Sequence, residues 1–153
     1  MRHRPSVSIP RQVHHHLFAP DNRGSTANLL INHYANHMVH LMQPITHQSN
    51  PFERIYLPLA ISGSSDLGQE ASSEVTSSPR VAVCHSLLAA AANNLQGLGN
   101  GEGTLRATAC YHKQKALTAL RHALASRSGA YKDLMTAMLA LVSVDVRTLP
   151  SLV

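Results

Sequence analysis

Apolar residues recur with the period of an α-helix in five segments of the chain. In the first segment, residues 26–42, apolar side chains fill one half of the helix and asparagines and histidines fill the other. Ser25 or Thr26 is predicted to cap its start, because a side-chain oxygen there accepts from the unpaired amides of the first turn. Pro44 is predicted to end it, since proline lacks an amide donor.

The second segment covers residues 51–61, with Asn50 as its cap and Pro51 at its first position. Pro58 lies inside this segment and is predicted to kink or split the helix. Residues 62–79 follow, and they are rich in serine, poor in large apolar residues and therefore typical of a flexible insert.

The three remaining segments are residues 80–96, 105–126 and 130–146. The first of these is rich in alanine and carries one apolar stripe. The spaced glycines at 97, 99, 101 and 103 predict that it ends in a C-cap followed by a hinge. In the last segment, apolar residues cover more than half of the circumference, a pattern typical of a helix that packs on two sides.

The pattern predicts an all-α fold of about five amphipathic helices in an incomplete antiparallel bundle, because no segment alternates with the period of a strand. Residues 1–24 are basic, contain prolines and a histidine run, and are predicted to form a disordered tail. Residues 25–147 are predicted to form the helical domain proper, and residues 148–153 form a divergent end.

Composition narrows the classes of function. Charged residues make up 14% of the chain and hydrophobic residues 44%, which indicates a helical layer whose outer faces are covered by sequence missing from this chain. No apolar run is long enough to cross a bilayer, so no membrane association is expected. Of the net charge of +5, three charges lie in residues 1–24. The remaining basic residues are scattered and form no groove-binding motif, so we expect no direct, specific contact with DNA.

The cysteines and histidines give no catalytic group. Cys84 and Cys110 are interpreted as reduced, mostly buried apolar residues. Cys110 and His112 stand two positions apart on a helix and diverge, so His112 cannot serve as a base for the thiol. We expect no enzyme activity and no cofactor.

Two polar sets remain as candidates. His33, His37 and His40 are spaced i, i+4 and i+7, and imidazoles at that spacing can share one zinc, nickel or copper ion; the alternative is a polar, histidine-rich helix face. Lys113 and Asp145 both fall within apolar arcs, where an isolated charge is costly, so they are candidates for a structural polar pair between two helices. The alternative is that Lys113 extends to water.

Five motifs occur in an order that resembles the start of the fungal-specific transcription factor domain, the helical regulatory region of Zn2Cys6 binuclear-cluster activators. They are residues 29–34, 50–60, 78–79, 84–91 and 111–117. The resemblance implies a nuclear, non-catalytic role in transcription regulation. A Zn2Cys6 cluster needs six thiolates, and the chain has two cysteines. We therefore expect a truncated regulatory segment without the DNA-binding module.

Two other functions are compatible with the pattern. One is a stand-alone helical module that binds other proteins, or associates with itself through the exposed apolar face of residues 130–146. The other is a histidine-rich metal-binding protein. Oligomerisation that depends on concentration favours the first, and stoichiometric zinc in untagged protein favours the second.

Overall fold

Helices are the only regular secondary structure in the described part of the chain. A computed structural model describes residues 23–43, 49–67, 78–99, 102–127 and 129–146. These residues form five helical stretches and contain no strand. The all-α prediction is therefore confirmed for the described part of the chain.

The first two helices each contain a π-helical turn. Helix α1 consists of Arg23–His33, a π turn at Tyr34–Met38 and the final α-helical residues Val39–Leu41. Helix α2 begins with a π turn at Phe52–Tyr56 and continues as Leu57–Leu67. Such wide turns interrupt the regular helical register, so side chains on either side of them are rotated relative to an ideal helix.

The other three helices are regular. Helix α3 covers Pro79–Gly97, helix α4 covers Glu102–Ala125, and helix α5 covers Tyr131–Val146. Each begins or ends within a few residues of the segment that hydrophobic periodicity predicts. These three long helices form the larger part of the fold.

The boundaries of α1 differ from the predicted ones. The helix begins at Arg23, so the prediction of a cap at Ser25 or Thr26 is wrong, and two residues of the predicted tail are helical. Three predicted features lie outside the described residues: the rest of that tail, the helix end at Pro44 and the divergent end at 148–153.

The predicted cap of α2 is confirmed. The Phe52 amide donates to Asn50 Oδ1 at 3.0 Å, and Asn50 Nδ2 donates to the Val39 carbonyl at 3.1 Å. Asn50 is buried and therefore ties the start of α2 to the end of α1. Pro58 does not split the helix, because the π turn ends just before it and the Leu57 amide reaches back to the Phe52 carbonyl.

Helix α2 continues through residues 62–67, so the prediction of a flexible insert is wrong for these six residues. Residues 68–77 of the predicted insert lie outside the described residues. The reason is tertiary packing at Gly63. A Cβ there would overlap the Arg80 carbonyl and lie 2.9 Å from the Val81 amide nitrogen. The lack of a side chain lets α2 approach the first turn of α3, and this packing overrides weak helix propensity.

Helix α3 is buried around its whole circumference. Every residue of the stretch 81–92 is buried, as is Pro79, so the predicted single apolar stripe is too narrow a description. The Arg80 amide donates to Ser78 Oγ at 3.3 Å, which confirms the predicted start. The buried Ser86 hydroxyl donates to the Ala82 carbonyl at 2.8 Å, so its polar atom is satisfied.

The other four helices pack around α3. It has its widest contact with α4, large contacts with α2 and α5, and a smaller one with α1. Alanines at the contacts, among them Ala89, Ala91, Ala116 and Ala140, are almost fully buried. Small side chains where two helices cross allow a shorter distance between the helix axes. The alanines of α3 therefore let four helices pack against it.

The C-cap predicted at the end of α3 is confirmed. The Leu98 amide donates to the Asn94 carbonyl at 3.2 Å, and the Gly99 amide donates to the Gln96 carbonyl at 3.0 Å. Gly99 has a φ of 79°, a left-handed conformation that glycine adopts without strain. The chain then turns within a few residues into α4, its largest packing partner.

Candidate functional site

Helix α5 has two different faces. Its inner face buries Thr136, Ala137, Ala140, Leu141 and Val144, and it packs on α3 and, to a smaller extent, on α4. Its outer face is also apolar but lies in solvent. The exposed fractions are 76% for Tyr131, 36% for Met135, 54% for Leu139 and 59% for Val142. The exposed apolar face expected for the final helix is therefore present.

The start of α5 is fixed by an ion pair. Arg80 Nε donates to Asp133 Oδ2 at 3.1 Å, and Arg80 Nη1 donates to Ser62 Oγ at 3.4 Å. One side chain of α3 thus joins α2 and α5. The carboxylate is largely buried whereas half of the arginine side chain is exposed, so the pair orients α5 more than it stabilises the fold.

Gly129 brings the connection between α4 and α5 close to the start of α3. It has a φ of 92°, and a Cβ at this position would lie 2.6 Å from Pro79 Cγ. Both the conformation and the close approach require glycine. The turn, the ion pair and the inner face together hold the outer face of α5 in a defined position.

The exposed charges described on α4, on α5 and in their connection have one sign. Among the side chains that the structure describes on α4, on α5 and in their connection, the exposed charged ones are all basic. They are Arg106, Lys115, Arg121, Arg127 and Lys132. Arg127 follows the end of α4 and Lys132 lies in the first turn of α5, so these two residues are close in sequence to Tyr131 at the start of the outer face.

A buried histidine pair joins α3 to α4. His85 Nδ1 and His112 Nδ1 are 2.9 Å apart, and the ring centroids are 5.1 Å apart with a 30° tilt. One nitrogen must carry a proton and donate to the other, so the two rings have opposite tautomers when both are neutral. The pair fixes the register of the two helices.

The environment keeps both rings of this pair neutral. Burial lowers the pKa of His85 to about 3, with further lowering by the charges of His112 and Lys115. Burial also lowers the pKa of His112 to about 4. Sequence reasoning missed the pair, although both histidines stand in motifs, 84–91 and 111–117, that carry the family resemblance.

A comparison with protein-family models identifies the chain. The model described as the fungal specific transcription factor domain matches residues 28–148. The chain belongs to this family. The match begins within α1 and includes the other four helices. It therefore contains both the histidine pair and the outer face of α5.

The fungal specific transcription factor domain is a regulatory domain and not typically an enzyme, and it indicates a role in transcription regulation. No curated protein and no solved structure gives a significant match to the chain. In the described part of this domain, no helix combines the length and hydrophobicity needed to cross a membrane.

The three histidines of α1 do not form a metal-ligand cluster among the described residues. His33 Nε2 lies 2.8 Å from Asn94 Oδ1 of α3, and the His33 and His37 rings lie 5.1 Å apart. His40 is exposed and follows the π turn at Tyr34–Met38, which changes the rotation that an ideal helix would give. The described residues contain no cluster of three histidine, cysteine or acidic side chains that could hold a metal ion.

The predicted polar pair and cysteines have mixed outcomes. Lys113 is partly buried on α4, whereas the Asp145 side chain lies outside the described residues, so their contact stays a prediction.

Cys84 is buried, and burial raises its thiol pKa to about 12. Cys110 is exposed, so its predicted burial is wrong; its side chain points to the outer side of α4.

The domain also has a shallow open groove between the ends of α3 and α5. Its volume is about 380 Å³. Its lining is formed by Ala90, Asn93, Asn94, Gly97, Leu98 and Val144. The groove is wide open and Asn94 is already engaged by His33, so the outer face of α5 is the more prominent feature for recognition.

Proposed function

We propose that the chain regulates transcription in the nucleus as a non-catalytic helical module that binds other proteins and makes no specific contact with DNA. The match of the transcription factor domain to residues 28–148 carries this proposal. The apolar outer face of α5 supports it, because contiguous apolar surface on a folded protein commonly marks a site of protein association.

The composition of this surface also favours protein over DNA as its ligand. The outer face of α5 itself presents four exposed apolar side chains, and the described basic residues nearest to it in sequence lie at its start. A DNA-binding surface instead places arginine, lysine and polar groups against successive phosphates. The basic residues are therefore proposed to guide a protein partner and not to follow a nucleic acid backbone.

A tethered reporter assay tests the proposed function. The full chain is fused to a heterologous DNA-binding module that does not activate transcription, and the reporter is compared with that of the module alone. We expect the chain to change reporter output, and the buried substitution Leu88→Asp, which should unfold the domain, to abolish the change. A fusion that is folded and nuclear but leaves output unchanged would contradict the proposal.

A finer proposal rests on the resemblance. The chain is proposed to be the N-terminal part of a longer regulatory domain, with its DNA-reading Zn2Cys6 cluster encoded elsewhere. Sequencing the genomic DNA and the transcript on both sides of the reading frame tests this. A six-cysteine motif in frame upstream, or further helical family sequence downstream, supports the proposal, and the lack of both contradicts it.

A further inference from the structure

The outer face of α5 has the spacing of a helix-packing seam. Tyr131, Met135, Met138 and Val142 stand at i, i+4, i+7 and i+11, with Leu139 beside them. Alternating steps of four and three residues align apolar side chains along one helix face, and this spacing is complementary to a second helix. Met138 is partly buried and packs against the core, while the other members are exposed.

Among the described side chains of α4, α5 and their connection, the exposed charges are of one sign. Arg121, Arg127 and Lys132 are exposed. The nearest described acid is Asp133, whose side chain is 13% exposed and already paired with Arg80. A partner with acidic residues beside its apolar stripe would therefore be attracted to this surface, and a basic partner would be repelled.

We propose that the outer face of α5, together with the basic residues at the α4–α5 turn, binds an amphipathic helix of another protein whose apolar stripe is flanked by acidic residues. The proposal rests on the proposed function and names the chemistry of its partner. A second copy of the chain fits less well, because the described part of its outer face offers no exposed acidic side chain to meet Arg127 and Lys132.

The test measures binding of synthetic helical peptides to the purified full chain by fluorescence anisotropy. The probe peptide has about twenty residues, with leucines at i, i+4, i+7 and i+11, glutamates on both flanks and alanines elsewhere. One control peptide replaces the glutamates with lysines. The other has the composition of the probe in an order without an apolar face. We expect the probe to bind at least about tenfold more tightly than either control.

Matched variants locate the binding surface. Leu139→Glu places a charge in the seam and is expected to weaken binding about tenfold or more. Leu41→Glu is its control, because Leu41 is also an exposed leucine (66%) but lies at the end of α1. Leu139→Ala, a milder change, keeps the test valid if the glutamate variant loses helicity by circular dichroism.

The charge contribution is tested separately. The double variant Arg121→Glu and Lys132→Glu is expected to weaken binding several-fold at low salt, with a smaller effect at high salt. Arg54→Glu on α2 is its control, since Arg54 is an exposed arginine that contacts Ser49 and α2 packs chiefly on α3.

Three outcomes overturn the proposal. The first is equal binding of the glutamate and lysine peptides, and the second is binding that Leu139→Glu leaves unchanged. The third is a dimer of the chain in sedimentation that Leu139→Glu dissociates, because a second copy would then occupy the surface. A chain that alters the tethered reporter but fails these measurements retains the proposed function and loses the proposed partner.

Discussion

Acid is expected to unfold the domain through the His85–His112 pair. The pKa is lowered to about 3 for His85 and about 4 for His112, both chiefly by burial, whereas the ordinary value for histidine is 6.5. Between these values the unfolded chain binds protons that the folded protein does not. The stability contributed by the neutral pair is therefore complete above pH 6.5 and falls as the pH drops towards 4.

The size of the effect follows from the linkage between protonation and unfolding. Each histidine lowers the free energy of unfolding by about 1.4 kcal/mol for each pH unit within this window. Two histidines over about two pH units give at most roughly 5 kcal/mol. A small domain has a total of about 5–15 kcal/mol, so this loss is enough to unfold the protein or bring it close to unfolding.

Urea unfolding followed by circular dichroism, at several pH values from about 7 to about 4.5, measures this dependence. The double variant His85→Leu and His112→Leu should reduce the slope with pH, because neither site can then take up a proton. The control is His37→Leu and His40→Leu, which removes two exposed histidines and should retain the slope. The reasoning is refuted if the His85/His112 variant keeps the slope of the wild type.

Three further predictions concern stability, each measured by chemical denaturation. Gly63→Ala should destabilise the domain by about 1–3 kcal/mol, because the added Cβ would overlap the backbone of Arg80. The control Gly24→Ala, in the exposed first turn of α1, should be neutral or stabilising. Equal effects of the two substitutions would contradict the close approach of α2 to α3. Leu88→Ala, at a buried α3 position, should cost about 2–5 kcal/mol, and a cost below that of a surface change would contradict the central position of α3. Arg80→Ala should cost less than about 1 kcal/mol, because the arginine side chain is half exposed; a larger loss would show that the link to Asp133 stabilises the fold.

Hydrophobic periodicity predicted where the helices lie, but not how they are arranged. Each of the five segments has enough apolar residues on one face to specify a helix. The same reasoning assigned α3 a single stripe, because its alanines and His85 give little periodic contrast. Their burial depends on four neighbouring helices, which the sequence of α3 alone does not reveal.

Local composition also misled at particular residues. Serines and Gly63 indicated a loop at 62–67, but the close approach of α2 to α3 stabilises a helix there. The π turns in α1 and α2 leave no distinct mark in the apolar pattern, so the sequence alone does not define the relative rotation of His33, His37 and His40. His85 and His112 pair across two helices, and their contact depends on a register between helices that periodicity within one helix does not encode.

The central position of α3 determines the order in which the structure can open. Helices α1, α2 and α5 each lie at the periphery and can detach while α3 keeps its other contacts, whereas the amides of α3 become accessible to solvent exchange only after several neighbours have left. Amide hydrogen exchange should therefore be slowest in α3, at a rate set by global unfolding, and faster in α5. A partner that binds the outer face of α5 would thus protect the amides of α5 first.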